Sequence, residues 1–124
     1  MSRFLDYLYI VFTIAFTVFG QIIFKWRIAK LEPAPIDFLG KVKFLFFVIF
    51  DPVIFSGFVA AFLASFTWMA AMTKFDLSHA YPFMSLNFAV VLLLSNQLLG
   101  EAISTQKLLG IILIMIGTII SARG

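Results

Sequence analysis

The chain lacks cysteine, is poor in charge, and has no acidic residue within any of its long apolar runs. Without cysteine there is no disulfide, no thiolate metal site and no cysteine nucleophile, and the redox compartment cannot be read. Charged residues make up 12% of the chain, about half the share of an average soluble domain. They are scattered and leave a formal net charge of +3, so nucleic acid is not an expected partner. Contact with anionic lipid headgroups is the simpler use for them. The acids Asp6, Glu32, Asp37, Asp51, Asp76 and Glu101 all fall in expected loops or at helix ends. There is no Gly-rich phosphate loop and no nucleophile beside a base, so no catalytic constellation is present. His79 is the one histidine and has no second ligand at metal spacing. Neither a metal nor a cofactor is expected.

What is abundant is apolar side chain. Hydrophobic residues form 63% of 124 positions, and 17 of them are phenylalanine. A compact domain of this length cannot hide so much apolar surface from water, whereas a bilayer can. Arg3 followed by an apolar run imitates a secretory signal. The run is too long, however, ends in Lys25 and Arg27, and is not followed closely by a small-residue cleavage site, so it reads as a retained helix.

The expected fold is an all-α membrane protein of four transmembrane helices, in a single domain over 1–124. Tyr7 to Phe24 is uncharged and long enough to nearly span the hydrocarbon, with Lys25 and Arg27 snorkelling at its end. The first helix is placed at about 5–28. Lys30, Glu32, Pro33, Pro35 and Asp37 mark an exposed loop. Residues 38–50 carry Lys41 and Lys43 and are too short to cross; they read as an interfacial helix or an early extension of helix two. Asp51-Pro52 has the form of a helix start, giving helix two at 52–73. Lys74 to His79 reads as a turn. Helix three is placed at 80–100 with Pro82 in its first turn, and helix four at 105–122. Six basic residues, Lys25, Arg27, Lys30, Lys41, Lys43 and Lys107, fall on the side away from the termini, against Arg3, Lys74 and Arg123 on the terminal side. That bias favours termini outside, with Lys25 counted only where it lies beyond the hydrocarbon.

Polar residues within the spans are the candidates for chemistry, because polar groups in hydrocarbon face the bundle interior or a watery cavity. Thr13, Thr17, Gln21 and Lys25 recur every four residues beside Gly20 and line one face of helix one. Helix-to-helix hydrogen bonding is the plainer role for the threonines; Gln21 and Lys25 fit a substrate-facing role. In helix three, Ser85 and Asn87 can bond a polar ligand or the carbonyls freed by Pro82, and Tyr81 fits either a ligand wall or the interfacial belt. In helix two, Gly57, Ala61, Ala64 and Ser65 form a small-residue face, with Trp68 one turn beyond as a stacking or packing residue. Gly110 and Gly117 lie seven residues apart on helix four, as packing inside the subunit or as a dimer seam. No internal repeat is visible. A chain this short needs a second subunit to complete a solute pathway.

Four helices, Gly20 and Lys25 closing helix one, and the run Gly110-x-x-Leu113-Ile114-x-x-Gly117 resemble the small members of the drug/metabolite transporter superfamily, which includes small multidrug resistance proteins and EamA-like proteins. The resemblance implies a dimer made through Gly110 and Gly117. The proton-coupled multidrug branch has a glutamate three residues before the helix-one glycine, and this chain has Thr17, which cannot bind and release a proton. The pair Gly20-Gln21-x-x-x-Lys25 and Ala80-Tyr81-Pro82-x-x-Ser85-Leu86-Asn87-Phe88 is more similar to the small subunits of the aminoarabinose–undecaprenyl-phosphate flippase of the bacterial inner membrane. That resemblance runs from Trp68 through helix four, is weaker in helix one, and is absent from Ala29 to Asp51. It implies a polyprenyl-phosphate-linked sugar as cargo, lipid A or cell-envelope glycan modification as purpose, and a homodimer or a heterodimer with a similar small subunit. Thr17, Gln21, Lys25, Trp68, Tyr81, Ser85 and Asn87 are the expected substrate-binding residues, with Lys25 or Arg27 for the phosphate. The competing expectations are a small exporter of cationic drugs or metabolites, and a membrane scaffold for a partner enzyme or transporter.

Overall fold

A computed structural model of the chain describes residues 2–31 and 36–124. The loop expected at Glu32, Pro33 and Pro35 lies outside the described residues.

Every regular element among the described residues is a helix: α1 (Ser2–Lys30), α2 (Phe38–Ile49), α3 (Pro52–Met72), α4 (Leu77–Ala80), a 3-10 segment (Tyr81–Ser85), α5 (Leu86–Leu99) and α6 (Thr105–Arg123). Four continuous stretches are long and apolar enough to cross a bilayer: Phe4–Lys30, Pro52–Met72, Leu77–Leu99 and Thr105–Arg123. The shortest, at 19 residues, is about 28 Å long, close to the hydrocarbon thickness of about 30 Å. The chain is a multi-pass membrane protein with an all-α fold. α2 is a separate helix of 12 residues, about 18 Å, and cannot cross.

The helix starts follow from side chains that accept the first free backbone N–H groups. Asp37 caps α2 through Gly40 N at 3.0 Å. Asp51 caps α3 through Val53 N at 2.9 Å and Ile54 N at 3.3 Å, with Pro52 in the first position. Ser104 caps α6 through Lys107 N at 3.1 Å, so it sits at the boundary of helix four, with Thr105 and Lys107 inside. Gly100 ends α5 with φ of 71°, a left-handed conformation that suits glycine.

Helix three starts at Leu77, three residues before the expected position, and His79 belongs to it. Pro82 does not begin this span but interrupts it. Proline has no N–H and its ring crowds the carbonyl four residues back, so the chain tightens into 3-10 geometry over Tyr81–Ser85 before α5 resumes.

α1 and α3 form the most intimate pair and run antiparallel. Their contacts step along both helices: Arg27 with Asp51, Gly20 with Gly57, Thr13 with Thr67, and Tyr7 with Phe75. A Cβ on Gly20 would lie 3.1 Å from the Gly57 carbonyl oxygen, so the missing side chain sets how closely the backbones approach. At the end near the chain terminus, Ile10, Ala71 and Ala80 are fully packed beneath Tyr7, Trp68, Phe75 and Phe83. The Tyr7 hydroxyl meets His79 Nε2 at 2.9 Å, and Phe75 stacks on the His79 ring. α6 leans on the 3-10 segment and α5, while Leu109, Leu113, Ile116 and Ile120 face outward. In lipid such exposure carries no penalty, because the tails are as apolar as leucine.

Candidate functional site

The divergence of α1, α3 and helix three opens a cleft of about 570 Å³. Thr17, Gly20 and Gln21 of α1 form one wall. Ala61, Ala64, Ser65 and Trp68 of α3 form the second, and Tyr81, Ser85 and Asn87 the third. Six of the seven residues expected to bind substrate therefore share one cavity. Lys25 does not line it. It is exposed on α1, one turn past Gln21 on the same stripe.

The hydroxyls divide into those committed to the protein and those on the cleft wall. Thr13 is 3% exposed. Its hydroxyl donates to the Tyr9 carbonyl at 2.7 Å and pairs with Thr67 across the α1–α3 seam at 2.6 Å. That is helix-to-helix bonding. Ser85 is also committed: its hydroxyl bonds the Pro82 carbonyl and Thr118 at 2.6 Å. Thr118, 6% exposed, donates towards the Ile114 carbonyl at 2.9 Å and lies 3.2 Å from the Pro82 carbonyl. These two hydroxyls satisfy backbone that the proline interruption frees, as polar groups in hydrocarbon must be. The Trp68 and Tyr81 rings meet edge to face with centroids 6.2 Å apart and form an aromatic corner. Asn87 differs from all of these. Its Oδ1 is buried without a hydrogen-bond partner, and leaving an acceptor unpaired costs free energy unless something binds it.

The two basic residues at the end of α1 have different fates. Arg27 donates from Nε at 3.0 Å and from Nη2 at 2.8 Å to Asp51 Oδ2. The guanidinium holds the Asp51 carboxyl below its ordinary range. The other Asp51 oxygen caps α3, so Arg27 ties α1 to the α2–α3 corner. Among the described residues that line the cleft, none is Asp, Glu, His, Lys or Arg. The cleft offers hydrogen bonds and aromatic faces but no formal charge.

Two features went unread in the sequence. Thr118 is the one hydroxyl in the apolar run from Leu108 to Ile120, a signal that was available. Phe24 lines the cleft and stands eleven residues, about three turns, from Thr13, the spacing that returns to one face. Gly57 is buried at the α1 contact: a Cβ there would fall 2.5 Å from Phe24 Cε1. Ala64 is buried as well, whereas Ala61 and Ser65, which share the cleft wall with it, are exposed. At Gly110 and Gly117 a Cβ would meet nothing within 4 Å, so both positions have room for a side chain.

The EamA-like transporter family matches residues 2–123. The chain belongs to that family. Among its EamA-like relatives, a protein of Aeromonas hydrophila subsp. hydrophila, "Probable 4-amino-4-deoxy-L-arabinose-phosphoundecaprenol flippase subunit ArnF", is 28% identical over 116 residues, covering 92% of this chain and 77% of the relative. The ArnF subunit of Pseudomonas fluorescens (strain Pf0-1) is 30% identical over 102 residues, covering 81% and 74%. An ArnE subunit of the same flippase from Aeromonas salmonicida is 28% identical over 116 residues, covering 94% and 96%. No solved structure matches the chain. The EamA-like chain is thus a small membrane transporter and not an enzyme.

Proposed function

We propose that the chain is one subunit of a small dimeric flippase of the bacterial inner membrane, moving a polyprenyl-phosphate-linked sugar between leaflets for cell-envelope glycan or lipid A modification. The observation that carries this reading is the uncharged, hydrogen-bonding cleft between α1, α3 and helix three. A sugar is rich in hydroxyl groups and needs such walls. The unpaired Asn87 acceptor, Thr17 and Gln21 supply bonding partners, and the Trp68–Tyr81 corner supplies an aromatic face for a sugar ring. A cationic drug, by contrast, would find no counter-charge there. The relatives named ArnE and ArnF bear names that specify a polyprenyl-linked amino sugar and a subunit role, which favours the same cargo class and a partner subunit, identical or similar.

The phosphate requires a cation. With Arg27 held by Asp51, that role goes to Lys25, an exposed point charge on the cleft stripe. The test is flipping of a lipid-linked sugar in reconstituted vesicles. Lys25→Ala should abolish transport and leave a folded protein; full transport by that variant removes lysine from the mechanism. If the purified protein instead binds an aromatic cation and shows no preference for polyprenyl phosphates, it is an exporter.

A further inference from the structure

A second cavity lies beside the first. It is a groove of about 300 Å³ with almost no polar surface, bounded by Phe24 and Ile28 of α1, Leu45 and Val48 of α2, and Ile54 and Phe58 of α3. Phe24 belongs to both cavities. Its ring occupies the space left by the absent side chain of Gly57 and packs 5.0 Å from the Phe58 ring. One aromatic side chain thus forms a partition between a polar cleft and an apolar groove.

The order of residues on α1 says what would span that partition. Gln21, Phe24, Lys25 and Ile28 fall at i, i+3, i+4 and i+7, one continuous stripe. Along it the surface changes from hydrogen-bonding wall to partition, then to an exposed cation, then to apolar groove. We infer that the groove holds the first isoprene units of the carrier's chain, while the phosphate sits at Lys25 and the sugar reaches into the cleft. This rests on the carrier reading above. Only hydrocarbon suits a groove of carbon surface within a bilayer. The neighbouring cation selects the kind of hydrocarbon. Lys25 lies one helical turn or less from both Phe24 and Ile28, a spacing that suits a phosphate bonded directly to the chain. A polyprenyl phosphate has that connection, and a phospholipid separates its phosphate from two chains by glycerol. Phe46 and Phe47 of α2 and Phe50 just past its end are largely exposed, an apolar surface beside which the remainder of a long chain can run into lipid.

Native mass spectrometry in detergent tests this, with undecaprenyl phosphate and dioleoyl phosphatidic acid as probes. The variants are Ile28→Trp, Val48→Trp and Lys25→Ala. Ile28 is 42% exposed, so tryptophan there fills the groove without disturbing the core; Val48→Trp fills it from the other side, and thermal melting checks that both fold. Wild type should retain undecaprenyl phosphate over phosphatidic acid. Each tryptophan should cut that retention about tenfold and leave retention of phosphatidic acid unchanged. Wild-type retention of undecaprenyl phosphate in folded Ile28→Trp, with loss in Lys25→Ala, overturns the groove and leaves the carrier reading standing. Equal retention of both lipids, both lost on filling the groove, makes it an ordinary acyl-chain site and overturns the isoprenoid assignment. Retention of neither lipid by wild type overturns the carrier reading and the groove's occupant together.

Discussion

At Asn87 a buried carbonyl oxygen has no partner, and that is a cost the folded protein bears. Asn87→Leu removes the unpaired group while keeping similar volume. Thermal unfolding in detergent should show a gain of about 1 kcal/mol, and binding of the lipid-linked sugar should weaken about tenfold, because the cleft loses a hydrogen-bonding amide. A loss of both stability and binding would make Asn87 a structural residue instead. The Arg27–Asp51 pair gives a second single-residue test. Arg27 depresses the Asp51 carboxyl, and a depressed folded-state value means that the pair stabilises fully above the ordinary carboxylate pKa of about 4 and fades as pH falls through the lower folded value. The difference in melting temperature between wild type and Asp51→Asn should be constant from pH 7 to about 5 and shrink below about pH 4. These side chains were unequally legible. Gln21 and Asn87 stand out in sequence because a polar group in an apolar span must have a reason. That Ser85 is tied to Thr118 could not be read, since the bond joins helices 33 residues apart and depends on how Pro82 bends the chain between them.

Helices set where these side chains sit. The approach of α1 to α3 depends on Gly20, whose absent Cβ would meet backbone rather than a mobile side chain. Gly20→Leu should force the helices apart, cost about 1–3 kcal/mol and collapse or distort the cleft, measurable as a lower melting temperature together with loss of ligand binding; Gly110→Leu, at an open position, should do neither to the isolated subunit. The four spans were legible because about twenty apolar residues between charged ends have few other uses. The cap at Asp51 followed from residue type, whereas Ser104, readable as part of helix four, turns out to cap it. The start of helix three was not legible. Pro82 suggests a first turn, but Asp76 marks the boundary and the helix absorbs the proline by tightening to 3-10 geometry. For residues 38–50, interfacial helix and extension of helix two were equally consistent with the sequence, and the break at Phe50 and Asp51 makes α2 a helix of its own.

As a whole, the subunit is thinly packed. Its fully buried apolar residues are few, and α6 presents Leu113 and Ile116 outward between two glycines with open space around them. A surface where backbones can approach closely suits a second subunit. Gly117→Leu should leave the melting of the isolated subunit unchanged within about 0.5 kcal/mol and lower the dimer fraction in detergent, read by analytical ultracentrifugation or cross-linking. A dimer fraction equal to wild type would place the seam elsewhere. Sequence spacing picked out Gly110 and Gly117 but left packing inside the subunit equally open, because spacing does not reveal whether a neighbour is there.

The charge-free lining of the cleft has an electrical consequence. The cleft carries no charged side chain, and Lys25 lies outside it near the end of α1, so inside the cleft the membrane potential acts on the cargo. A phosphodiester bearing a neutral sugar is an anion, and its crossing is worth about 2.3 kcal/mol for each 100 mV. A phosphodiester bearing an amino sugar is a zwitterion, on which the field exerts no net force. Flux across vesicles clamped at different potassium diffusion potentials therefore measures the net charge of the cargo: flux that rises with voltage of one sign marks an anionic glycolipid, and flux indifferent to voltage marks an amino-sugar carrier.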